Sequence, residues 1–102
     1  MTSFAPLESI RFCILFALAK EPMRGAAIEN QIAIDSRSTA FVQTATIYKT
    51  LKSLEKSGLI EPAGRISGND PKYYQLTVSG KKILKREIQR LKDTLAIAHD
   101  RI

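Results

Sequence analysis

The sequence has little of the chemistry on which most enzymes and secreted proteins depend. Its 102 residues include one cysteine, one histidine and no tryptophan. A single thiol cannot form an internal disulfide, so Cys13 fits a protein of the reducing cytoplasm, and its apolar surroundings predict a buried, inert side chain. His99 has no partners at metal-ligand spacing. We therefore expect no metal site and no acid–base catalyst.

Long hydrophobic runs and catalytic loops are also missing. The apolar run over residues 12–19 is shorter than the roughly 20 residues that cross a bilayer, and no basic start with a cleavage site suggests a signal peptide. The sequence contains neither a glycine-rich phosphate loop nor a nucleophile elbow, and no paired carboxylates lie along an apolar helix face. These absences predict a cytoplasmic protein that is not an enzyme and carries no cofactor.

What the sequence does have is positive charge. Lysine and arginine outnumber aspartate and glutamate by 16 to 10, a net charge of +6, while 44% hydrophobic residues are ordinary for one globular domain. A small basic domain favours a polyanionic partner, nucleic acid before a membrane surface. The alternative is that the charge serves solubility alone.

Residues 44–60 predict a helix with a marked start and end. Thr44 is the expected N-cap, because its hydroxyl can accept a hydrogen bond from an amide of the first turn. Gly58 stands where a left-handed residue ends a helix, and Leu59 can fold back on Leu54 as in a Schellman motif.

The two faces of this helix differ in chemistry. Helical spacing places three apolar side chains toward the core: Ile47, Leu51 and Leu54. At about 100° per residue the opposite face carries small and cationic side chains, with Tyr48 at the boundary: Ala45, Lys49, Lys52 and Lys56. Small residues allow close approach to a DNA major groove, and lysines meet phosphates. The alternative is a solvated face without a partner.

Two helices are expected before this one. Pro6 opens the first, which ends near Lys20, before Pro22. Its side chains are apolar almost all round, so both sides must be covered, the second by another subunit. The next runs from residues 24–25 to about Asp35, with three side chains toward the core: Ala27, Ile28 and Ile32. With a polar loop at 35–39 and an apolar plug at 40–42, the arrangement resembles a helix-turn-helix.

A hairpin is predicted after Gly58. Residues 59–62 and 72–76 have the composition of short strands, and 67–71 are rich in turn-forming residues. Its long tip carries Arg65 and Lys72, the shape of the wing that touches DNA backbone in winged helix proteins. A hairpin that only caps the core is the alternative, and it accounts for Tyr73 and Tyr74, of which at least one ring should be packed inside.

The C-terminal segment predicts a long helix capped by Thr77. Its apolar residues follow an a/d heptad pattern: Leu84, Ile88, Leu91, Leu95, Ala98 and Ile102. A chain this short has little core left for such a seam, which favours a dimerisation helix. Pairing with the first helix of the same chain is the alternative, and the two are compatible.

Three segments together resemble the PadR family of bacterial transcriptional regulators. They are ILFAL with MRGAAI (14–18 and 23–28), TIY with L, LE and GLI (46–48, 51, 54–55 and 58–60), and YYQLTVSG (73–80). The resemblance covers about residues 7–84. One departure stands out: an aromatic residue usually follows the glycine of the first segment, where this chain has Ala26.

The resemblance implies a winged helix-turn-helix, mainly α-helical with a small β-hairpin, that acts as a homodimeric repressor on a pseudo-palindromic operator. Residues 1–76 would form the DNA-binding domain and 77–102 the dimerisation helix, as in the short subgroup with a single terminal helix. The recognition helix and the wing map onto eight DNA-binding residues: Thr44, Ala45, Thr46, Tyr48, Lys49, Lys52, Arg65 and Lys72. The dimer interface maps onto Phe12, Phe16 and the heptad residues.

Some members of the family sense phenolic acids or aromatic drugs in a pore at the dimer centre. Phe12, Phe16 and Ile97 are the candidates for lining such a pore, although interface packing explains the same residues. A function from another class stays open as well. A dimeric winged helix could bind a protein instead of DNA.

Overall fold

The computed structural model describes residues 9–35, 43–64 and 72–102. Within these ranges the chain forms four helices and three strands: α1 (Ser9–Leu18), β1 (Met23–Arg24), α2 (Gly25–Asp35), α3 (Thr44–Lys56), β2 (Ile60–Pro62), β3 (Tyr73–Leu76) and α4 (Val78–Arg101). A mainly helical fold with a small hairpin is therefore confirmed. The predicted N-terminal start at Pro6, the plug at 40–42 and Arg65 lie outside the described residues.

The sheet has one strand more than the sequence predicted. Its order is β1-β3-β2 with antiparallel pairing, so the hairpin of β2 and β3 is confirmed. On the other side of β3, Met23 pairs with Tyr74 and Arg24 with Tyr73. A strand of two residues is too short to show an alternating pattern, which is why the sequence gave no sign of β1. This pairing ties the start of α2 to the hairpin.

The core lies between α1, the inner faces of α2 and α3, and the sheet. Seven side chains are almost completely buried: Ile14, Leu15, Ile28, Ile47, Leu51, Leu54 and Ile60. α1 packs against the other three helices and β3, and Phe12 packs partly on the core. Phe16 nevertheless stays 43% exposed, so one side of α1 has no cover within the described part of the chain.

The predicted end of α3 is confirmed and its predicted start is wrong. Gly58 has φ +79°, the Leu59 amide donates to the Leu54 carbonyl at 3.0 Å, and the Gly58 amide donates to Glu55 at 3.1 Å, which together make a Schellman motif. The N-cap is Gln43, whose side chain makes no capping bond. Thr44 begins the helix, because its hydroxyl donates to the Glu29 carboxylate of α2 at 2.7 Å instead of capping the helix.

Thr77 caps α4 as predicted. Its hydroxyl oxygen accepts from the Gly80 amide at 3.0 Å and donates to the Gly58 carbonyl at 2.6 Å, so the start of α4 is joined to the end of α3. The first half of α4 packs on α1 and β3 and buries Leu84. Beyond Ile88 the helix leaves the core. No helix among the described residues is long and apolar enough to cross a membrane.

Candidate nucleic-acid interface

The outward face of α3 carries exposed cations. Burial of the opposite stripe fixes the orientation of the helix, so Lys49 and Lys52 point into solvent, as do Ala45 and Thr46. Within residues 9–35, 43–64 and 72–102, neither lysine forms an ion pair. Such a face can offer its ammonium groups to an anionic partner without first breaking contacts within the protein.

The hydroxyls of this helix are not equally available. That of Thr44 is engaged with Glu29, and that of Thr50 donates to the Thr46 carbonyl one turn earlier at 2.8 Å. Thr46 itself is exposed. Of the two threonines predicted to meet DNA, Thr46 therefore lies open, whereas Thr44 is held by α2.

Tyr48 lies at the edge of the face, 45% exposed, with its ring against Gly25. A cavity of about 230 Å³ opens beside it. The start of α2, α3 and the hairpin all contribute to its lining: Arg24, Gly25, Ala26, Tyr48, Lys72 and Tyr74. The structure thus brings Tyr48 and Lys72, both predicted to bind DNA, to one cavity.

Lys72 is held in place by two groups. Its Nζ lies 3.1 Å from Oε1 of Glu55 on α3 and 5.3 Å from the centre of the Tyr74 ring. These contacts fasten the base of the hairpin to the recognition helix. An exposed ion pair of this kind stabilises a protein by about 0–1 kcal/mol, so a phosphate can compete with Glu55 for the ammonium group.

Two arginines that the sequence analysis did not select also border α3. Arg24 is exposed and lines the cavity beside Tyr48, and Arg11 of α1 donates from Nη1 to Oγ of Ser53 at 3.3 Å. Both lie outside the helix-turn-helix pattern, and only the packing of α1 and β1 brings them to α3. The adjacent Gly25 was the one local signal near Arg24.

A second surface lies on α4 and α1. Three apolar side chains in the second half of α4 are exposed, Leu95 by 70%, and the others are Leu91 and Ile97. On α1 the rings of Phe12 and Phe16 stack with centroids 5.5 Å apart. Apolar area left open in this way is typical of a protein–protein contact. In the described part of the chain, no group of His, Cys, Asp or Glu side chains is arranged to hold a metal ion.

Comparison with known proteins places these surfaces in context. Residues 14–86 match the model of the transcriptional regulator PadR-like family. Among solved structures, a PadR family transcription regulator from Clostridium difficile is 27% identical with a TM-score of 0.74, covering 91% of this chain and 97% of that chain. A PadR-like transcriptional regulator from Bacillus cereus is 25% identical with a TM-score of 0.73, covering 87% and 86%.

One neighbour was solved with DNA. Bacillus subtilis PadR in complex with operator DNA is 28% identical with a TM-score of 0.69, and the match covers 79% of this chain and 47% of that longer chain. No curated protein sequence matches the chain significantly.

Proposed function

Because the chain belongs to the PadR-like family of transcriptional regulators, we propose that it binds double-stranded DNA as a homodimer and represses transcription by occupying a promoter. Residues 1–76 would form the DNA-binding domain and residues 77–102 the dimerisation helix. Membership of the family fits a protein of the cytoplasm that performs no catalysis. The complex of Bacillus subtilis PadR with operator DNA supports the choice of partner.

The observation that carries this proposal is the exposed face of α3. Lys49 and Lys52 neutralise phosphates, while Ala45 lets the helix backbone approach the base edges. Thr46 reaches a phosphate or a base edge, and Tyr48 donates its hydroxyl to a phosphate. In the proposed complex Thr44, Arg65 and Lys72 complete the interface, with Lys72 exchanging Glu55 for a phosphate.

The apolar surface of α4 supports the homodimer. A helix of 24 residues is about 36 Å long, and its second half extends past the core with Leu91, Leu95 and Ile102 exposed. Pairing these residues with a second copy places two α3 helices in successive major grooves of a pseudo-palindrome, about one helical turn apart. Phe12, Phe16 and Ile97 would then border a central space suited to a planar aromatic effector that releases the DNA.

Fluorescence anisotropy with a labelled duplex of random sequence tests the DNA-binding part. We expect the affinity of the wild type to fall steeply with salt, and Lys49→Ala and Lys52→Ala each to reduce the slope of log K against log salt by about 0.9. Lys81→Ala is the matched control, because this exposed lysine lines a cavity with α1 and the sheet but with no α3 residue. A wild type without salt-dependent affinity would favour the protein-binding module instead.

A further inference from the structure

Two cavities border the outward face of α3, one on each side. At about 100° per residue, Tyr48 lies about 70° to one side of the midpoint between Lys49 and Lys52, and Ser53 about 70° to the other. Tyr48 lines the first cavity and Ser53 lines the second. The lysine face is thus flanked by two hollows at nearly equal angles.

The cavity on the Tyr48 side contains two cationic groups. Arg24 is exposed on β1 and, among the residues described, forms no ion pair, while Lys72 is paired with Glu55. Pairing of β1 with β3 holds Arg24 at the rim, because Arg24 lies opposite Tyr73 in the sheet. The guanidinium of Arg24 is therefore positioned at the cavity by the backbone of a strand.

The cavity on the Ser53 side, of about 290 Å³, has the same chemistry. Arg11 lines it together with Lys49 and hydroxyl-bearing residues of α3, and its hydrogen bond to Ser53 directs the guanidinium along the helix. Among the described lining residues of the two cavities there is no carboxylate. Each hollow therefore combines an arginine, a lysine and hydroxyl groups, a set that suits an oxyanion.

The dimensions of DNA identify that oxyanion. An α-helix with its side chains is about 10–12 Å across and the major groove is about 12 Å wide. A helix seated in the groove therefore has one phosphate backbone along each flank. Resting on the DNA binding proposed above, we infer that Arg24 and Arg11 each bind a backbone phosphate, one on each strand, and so clamp α3 in the groove from both sides.

Salt titrations of the full chain with one labelled duplex test the clamp. Each of Arg11→Ala and Arg24→Ala should lower the slope of log K against log salt by about 0.9 and weaken binding about eightfold at 0.1 M salt. The double variant should lower the slope by about 1.8, since the two contacts lie on different strands. Arg11→Lys and Arg24→Lys keep a cation at each position and should keep most of the slope.

The control separates contact from general charge. Lys81→Ala removes the same charge from a part of the surface away from α3, and we expect its slope to equal that of the wild type. If both arginine variants behave like Lys81→Ala while Lys49→Ala lowers the slope, the clamp is overturned and the proposed function stands. A wild type whose binding does not depend on salt would remove both. Thermal melts confirm that each variant is folded.

Discussion

The ring of Tyr48 lies on the backbone of Gly25, so close that a Cβ at this glycine would come within 2.5 Å of Cε1 and 2.7 Å of the phenol oxygen. The absence of a side chain at residue 25 is what lets the edge of the recognition helix rest on the start of α2. The contact also sets one wall of the cavity that Arg24 lines. A single glycine therefore links the packing of the fold to the geometry of the candidate DNA surface.

The first prediction follows from this contact. Gly25→Ala should lower the free energy of unfolding by about 1–3 kcal/mol, because the new methyl group forces the Tyr48 ring out of its place. Urea denaturation at a fixed protein concentration measures the change. The same variant should bind DNA more weakly, since Tyr48 no longer lies at the edge of the lysine face.

Tyr48→Ala provides the matched background. Without the ring, alanine at position 25 meets no obstacle there and should cost less than about 1 kcal/mol, because alanine favours a helix more than glycine does. The four proteins form a double-mutant cycle whose coupling energy reports the contact. An equal effect of Gly25→Ala in both backgrounds would contradict the proposed cause.

The second prediction concerns Gly80, where the obstacle is backbone rather than a side chain. A Cβ at Gly80 would overlap the carbonyl oxygen of Leu59, which also accepts a hydrogen bond from the Thr77 amide at 3.1 Å. Since the Leu59 carbonyl cannot rotate away without breaking that bond, Gly80→Ala should lower the free energy of unfolding by about 2–3 kcal/mol.

The neighbouring residue supplies the control for Gly80. Ser79 is exposed in the same helical turn, and Ser79→Ala should change the free energy of unfolding by less than about 0.5 kcal/mol. Comparable losses for the two variants would mean that the first turn of α4 tolerates no change at all. The overlap with Leu59 would then not be the cause.

The sequence predicted those elements whose signals are local. The buried stripe of α3, its glycine ending and the Thr77 cap each depend on residues within a few positions of one another, and all three are confirmed. Features set by contacts between distant segments were missed or wrong. Thr44 bonds to Glu29, fifteen residues away, and β1 exists only because β3 lies beside it.

The same division applies to the candidate DNA surface. Helical periodicity alone placed Lys49 and Lys52 on the outward face, and both are exposed. The pairing of Lys72 with Glu55 and the approach of Arg11 to Ser53 join residues 17 and 42 positions apart, for which the sequence carries no local signal. The roles of all these residues in binding DNA stay predictions.

The third prediction is a dependence of stability on pH through Glu87. Its carboxylate is 8% exposed and accepts from Arg90 at 2.6 Å, and this hydrogen bond lowers the pKa of Glu87 below its ordinary 4.5 by more than burial raises it. Since the folded pKa is the lower one, the pair stabilises the protein fully above pH 4.5, and this contribution is lost as the pH falls through the folded value.

Glu87→Gln tests this dependence. At neutral pH the variant should be less stable by about 0.5 kcal/mol, the usual size of a pair three residues apart on a helix surface. The difference from the wild type should shrink as the pH falls below 4.5, because the wild-type carboxyl becomes protonated. Urea denaturation across the acid range measures both proteins. A difference that stays constant over the whole range would show that Glu87 acts through packing and not through its charge.

The fourth prediction concerns the apolar half of α4. Leu95 is 70% exposed in one chain, so a substitution there should leave the fold of the monomer unchanged but place a charge against its own copy in the proposed dimer. Light scattering with size-exclusion chromatography should give twice the chain mass of 11.4 kDa for the wild type and the chain mass for Leu95→Glu. Ala96→Glu is the control, because it adds the same charge about 100° round the helix and should keep the dimer. DNA binding by Leu95→Glu should weaken as well, since two linked recognition helices bind more tightly than one. A wild type of chain mass at all concentrations, or a Leu95→Glu variant that stays dimeric, would contradict this role of α4.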